Sequence, residues 1–121
     1  MKKVILASIL ISILFAGFYS GDVYAQNKKP MKGQIVSLDD IIKGKKDLQL
    51  TKESAEKLLE NGSPLVFLHN RKIYFVQGTD GNFAFRRLAN FAHHKNVGIV
   101  GKIKTVSGIN YIIMEHIDKM D

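Results

Sequence analysis

Four histidines, His69, His93, His94 and His116, are the first residues whose side chains could do chemistry. Imidazoles can hold Zn or Cu without sulfur ligands. Adjacent residues on a helix, however, point about 100° apart, so His93 and His94 make a poor bidentate pair. They suit the last turn of a helix, where histidine interacts favourably with the terminal carbonyls. No HxH or HExxH spacing accompanies them, and the chain has no cysteine. That excludes thiol chemistry, Cys-ligated metal, covalent haem attachment through CxxCH and a lipidated cysteine. Asp39 and Asp40 stand side by side before "IIKG", and Asp80 lies beside Gly81 in a turn, without the paired, differently buried carboxylates that general acid/base catalysis needs. Ser37, Ser54, Ser63 and Ser107 lack a GxSxG elbow, and "GTDG" and "GIVGK" lack the length of a phosphate-binding loop. The expectation is a protein that is not an enzyme and needs no metal or cofactor.

Basic residues offer more. Lys102 and Lys104 alternate along one strand and share a face. Together with Arg71, Lys72, Arg86 and Arg87 they could contact phosphates if the fold gathers them. A single-strand binder also wants aromatic platforms on that surface; Tyr74 and Tyr111 are the candidates, with Phe67, Phe75 and Phe83 assigned to the core. Apolar residues on both faces of "LVFL", "IYFV" and "YIIM" exceed what one buried face requires. Val66, Leu68, Tyr74, Ile112 and Met114 are then candidates for a partly open surface, either a self-association seam or a seat for another protein; a second core layer is the alternative. The expected partner face is the closing hairpin, with Lys102, Lys104, Ile112 and Met114, extended by Arg86, Arg87 and Tyr74.

The formal net charge is +7, spread as scattered Lys rather than one block. Such a bias suits acidic partners, whether nucleic acid, anionic lipid or protein. Met1 to Ala25 opens with Lys2 and Lys3, continues through "VILASILISILFAGF" and ends in "VYA". This is the layout of a secretory leader cut after Ala25. Its apolar run of about 15 residues is shorter than the roughly 20 a membrane-spanning helix needs. Export to the periplasm or cell exterior is expected, with no membrane span after cleavage, and it argues against nucleic acid as the working ligand.

Beyond the leader, Gln26 to Met31 reads as a flexible lead-in and residues 32–118 as one domain. A strand begins near Gly33. Thr51 caps a helix over "KESAEKLLEN", with Leu50 and Ala55 at hydrophobic-staple spacing. Leu65 to His69 and Lys72 to Gln77 form a hairpin around "HNRK", in which Asn70 suits a left-handed turn. A second helix runs through "FAFRRLANFAHH", capped by Asp80 or Asn82. Val97 to Val106 and Ile109 to Ile117 form the closing hairpin across "SG".

Five strands with a helix between the third and fourth, closed by "VGKIKTVSGINYIIMEHI" from Val100 to Ile117, resemble the OB-fold. The resemblance covers Lys32 to Ile117 and implies a mainly β domain with two helices. It implies a five-stranded OB-like barrel with a helical insertion between the first two strands, at Asp39 to Gly62. Parallel central strands would be incompatible with that expectation. The expected function is that of a non-catalytic binding or accessory domain engaging another envelope protein. The alternative is a binder of single-stranded nucleic acid or another polyanion.

Overall fold

The computed structural model describes residues 25–121, so the leader expected at Met1 to Ala25 lies outside the described residues but for Ala25. Strand β1 is Ala25–Ser37, and helices α1 (Leu38–Ile42) and α2 (Lys52–Glu60) follow it. Then come β2 (Leu65–His69), β3 (Lys72–Gly78), helix α3 (Phe85–Phe91), β4 (Val97–Val106) and β5 (Ile109–Lys119). Gln26 to Met31, expected as a lead-in, falls within β1, whose register on β4 shifts between Asn27 and Met31.

Both hairpins turn in two residues, with His69 facing Lys72 across Asn70–Arg71 and Val106 facing Ile109 across Ser107–Gly108. The four turn residues have φ of 49°, 65°, 52° and 81°. Two successive positive φ values are what a type I′ turn requires, and its twist matches that of the flanking strands. Helix α2 starts where Thr51 predicts: Thr51 Oγ1 accepts from Ser54 N at 3.0 Å, and Ser54 Oγ accepts from Thr51 N at 2.8 Å. Leu50 and Ala55 are both buried beside this box. Helix α3 starts at Ala84 without a side-chain cap. Asp80 instead accepts from Asn82 N at 3.0 Å, within the preceding turn.

The strands pair in the order β1-β2-β3-β5-β4, and β4 pairs back onto β1, so the hydrogen bonds run in a ring. Four ladders are antiparallel, but β3 and β5 are parallel from Tyr74↔Asn110 to Gly78↔Met114. That pair corrects the expectation of antiparallel central strands. Local sequence announces hairpins, whereas a parallel pair joins strands separated by a long crossover, here α3 and β4. The helix content is corrected as well. Three helices stand among the described residues instead of two, and both α1 and α2 occupy the β1–β2 connection. The added helix has a local cause, because Ser37 Oγ accepts from Asp40 N and caps a single turn. The OB-like barrel with two helices is thus replaced by a five-stranded mixed sheet with three helices.

Ile35, Leu65, Phe67, Val76, Ile99, Ile112 and Met114 meet in one core with Leu88, Ala89 and Ala92 of the α3 segment. Helices α2 and α3 pack on each other and on β2. Each fully buried Leu, Ile, Phe or Met contributes about 1.5 to 3 kcal/mol by leaving water, so packing alone can hold a domain without disulfides.

Candidate binding face

The closing hairpin puts Lys102 and Lys104 on its outer face, as strand alternation requires, but Ile112 and Met114 are not beside them. Lys104 faces Tyr111 and Lys102 faces Ile113, while Ile103 faces Ile112. Ile112 and Met114 are 0% and 1% exposed and belong to the core. Their expected place on the surface is therefore corrected. A two-residue turn that sets Val106 against Ile109 forces this register, which the "SG" turn already encoded. The register then slips between Val100 and Gly101: Gly101 faces Met114, Val100 faces His116, and Glu115 is the additional residue. The slip keeps Ile112, Met114 and Ile117 all facing inward. Gly101 sits at it because a Cβ there would collide with the Ile113 carbonyl.

Tyr74 is likewise buried, at 7% exposure, so the aromatic platform expected from it is absent from the surface. With Tyr74 and Val76 inward, Phe75 and Gln77 point outward. Phe75 meets Tyr111 of β5 at 6.0 Å between ring centroids and Phe83 at 6.2 Å; Phe83 stacks on Phe85 at 5.2 Å with planes 6° apart. The backbone holds Phe83 there: residues 78–84 fold back on β3 through Gly78 N to Asn82 O and Ala84 N to Val76 O, with Gln77 opposite Phe83. Tyr111, Phe75, Phe83 and Phe85 thus form a row across the outer face of β5 and β3. Phe83, assigned to the core from sequence, is 48% exposed. Period-two alternation from Val76 would have placed Phe75 outside, whereas the turn that returns Phe83 to β3 has no such pattern.

Cations flank the row on both sides. Arg86 and Arg87 join Phe83 around a cavity of about 280 Å³, and Lys104 joins Tyr111, Gln77 and Val106 around one of about 200 Å³. Lys104 and the pair Arg86 and Arg87 therefore stand at opposite margins of the row, and Lys102 follows Lys104 along the outer face of β4. Arg71 and Lys72 lie at the other end of β3, about 20 Å away at the rise of a strand.

His69 and His94 each have a polar partner. Nδ1 of His69 lies 2.6 Å from the Lys32 carbonyl and Nε2 lies 3.2 Å from Asn70 Nδ2. Nδ1–H donates to the carbonyl and Nε2 accepts from the amide, so both ring nitrogens serve the hairpin. His94 Nδ1 is 3.3 Å from Asp121 Oδ1, and its ring lies 4.1 Å from that of His93. Partial desolvation of the Asp121 carboxyl pushes its pKa up. The backbone N–H groups of Lys95 and Asp121, and then His94, outweigh this and hold it below the ordinary 3.8. Among the described residues no group of three His, Asp or Glu side chains is arranged to hold a metal ion. No helix among them is long and apolar enough to cross a membrane.

No family model matches the chain, and neither a curated protein nor a solved structure does. The OB-fold resemblance thus has no support from known proteins and carries none of the functional reading below.

Proposed function

We propose that the chain is an exported, non-catalytic binding module that engages another envelope protein through the outer face of β3, β5 and β4. The observation that carries this reading is the row Tyr111, Phe75, Phe83 and Phe85, of which Phe83 is half exposed, with cations at both margins. Aromatic residues and Arg are the side chains that dominate protein interfaces, and desolvated rings at the centre with charges at the rim are their usual arrangement. The complementary partner presents an apolar patch bordered by acidic residues. A photo-crosslinking residue at Phe83 tests the reading. In intact cells it should give one reproducible adduct with an envelope protein, absent when the crosslinker replaces Glu60 on α2 and lost with Lys104→Glu. No adduct at Phe83, or the same adduct at Glu60, overturns it.

The same face supports a second reading, a binder of single-stranded nucleic acid, since rings flanked by cations are what stacking and phosphate contacts require. Titration with an oligonucleotide at two salt concentrations separates the two. The second reading requires affinity that falls steeply with salt and with loss of Lys102, Lys104 or Arg86.

A further inference from the structure

At the other end of β3 lies a cavity open to solvent, about 1030 Å³ in volume. It is walled by β1 at Lys32 to Gln34, the β2–β3 turn, the loop into α2 and the segment joining α3 to β4. Its charge is one-sided. Lys32, Lys52, Arg71 and Lys95 line it, against Asp47 as the one carboxylate in the lining. Asp47 Oδ1 accepts from Gln49 N at 3.1 Å and so is engaged within its own loop. None of the four cations has a carboxylate within 4.0 Å among the described residues, where the ion pair is His94 with Asp121.

The remaining lining is built rather than incidental. Gln49 Nε2 lies 3.0, 3.4 and 3.2 Å from the carbonyls of Leu50, Ala92 and His93, and its Oε1 accepts from Gln34 Nε2 at 3.1 Å. One side chain thus ties the loop to β1 and to the end of α3. It also covers the carbonyls that would otherwise present partial negative charge to the cavity.

Arg71 supplies the second observation. It occupies the second position of the Asn70–Arg71 turn at φ 65°, where a type I′ turn favours Gly. A side chain in that left-handed region costs about 1 kcal/mol or more. Backbone strain of this kind points towards function when the strained side chain has somewhere to act. Here it lines the cavity.

We propose that this cavity binds a small, soluble ligand bearing several phosphate groups. Arg71 supplies a planar fork for phosphate oxygens, while Lys32, Lys52 and Lys95 act as point charges. No phenyl, phenol or indole ring lines the cavity, and four cations face one carboxylate there, so charge is the property the site reads. Groups carrying more than one negative charge each match the surplus of cations better than monovalent carboxylates.

The test is calorimetric titration of the protein purified from the cell with inorganic tripolyphosphate at low salt. Parallel titrations use citrate and vesicles containing phosphatidic acid. The expected result is saturable, one-site binding of tripolyphosphate, tighter than citrate. Arg71→Gly and Lys52→Ala should each weaken it about tenfold or more, whereas Lys57→Ala, an equal loss of charge on α2 away from the cavity, should change it less than about twofold. Arg71→Gly should melt no lower than the parent, which separates a lost ligand contact from a lost fold. The proposal fails if tripolyphosphate does not bind, or if Lys57→Ala weakens it as much as the cavity variants. It fails equally if Arg71→Gly binds like the parent, or if vesicles bind while tripolyphosphate does not.

Discussion

At the Gly78 end of β3 the surface is a row of aromatic rings with cations at its margins; at the Arg71 end it is a cationic, amide-lined cavity without such rings. One strand therefore separates two surfaces that recognise by different physics. Rings offer apolar area and stacking over an extended face, which suits a large partner. Converging cations in a concavity offer charge density, which suits a compact anion. The two hairpin turns repeat the contrast. Ser107–Gly108 carries Gly where a type I′ turn favours it, whereas Asn70–Arg71 carries a long charged side chain at the equivalent place. One turn follows backbone preference, and the other departs from it where the side chain lines a cavity.

The largest effect should come from a residue between these surfaces. Met114→Asp buries a carboxylate with no partner and should abolish cooperative unfolding, while Phe83→Asp on the aromatic face should stay within about 1 kcal/mol of the parent. Chemical denaturation followed by circular dichroism checks both. A stable Met114→Asp protein would return Met114 to the surface and merge the two faces into a different one.

Next comes the register slip that keeps the core and the lysine face apart. Gly101→Ala should destabilise by about 1 to 3 kcal/mol, because the added methyl meets the Ile113 carbonyl. An unchanged denaturation midpoint would mean that β4 and β5 can separate locally without loss.

The turns themselves give a smaller and opposite pair. Gly108→Ala should lose about 1 kcal/mol, because Gly108 holds φ 81°, whereas Arg71→Gly should gain up to about 1 kcal/mol or stay level. Equal losses at both sites would end the contrast between them.

The smallest effect lies at the rim of the cavity, where Asp121 fastens the end of the chain to Lys95 and His94. Its folded pKa is lowered, so the unfolded chain binds more protons between the two values. The contribution is present in full above 3.8 and is lost as pH falls through the folded value. Asp121→Asn should remove that part of the acid dependence and leave neutral-pH melting nearly unchanged, as acid titrations of the two proteins would show.

Much of the local structure was legible. The Thr51 cap, both two-residue turns and the outward pair Lys102 and Lys104 follow from short-range rules of hydrogen bonding and alternation. The register Lys104↔Tyr111 was legible too, because a two-residue turn allows no other. The same register already sends Met114 inward, since Gly101↔Met114 precedes the slip; Met114 was misread because apolar residues on both faces of "YIIM" hide which set is buried. Phe83 was misread because aromatic content suggests burial, while its position depends on where residues 78–84 fold back.

By itself, then, the sequence determined the hairpins, the cap of α2 and the side of β4 that carries lysine, since each rests on residues a few positions apart. Only the tertiary structure decided that β3 lies parallel to β5, that Phe75 meets both Tyr111 and Phe83 outside, and that Lys32, Lys52, Arg71 and Lys95 surround one cavity. Those contacts join distant segments. They form only when burial of the shared core offsets the entropy of closing the long loops between them, and no local pattern records that balance.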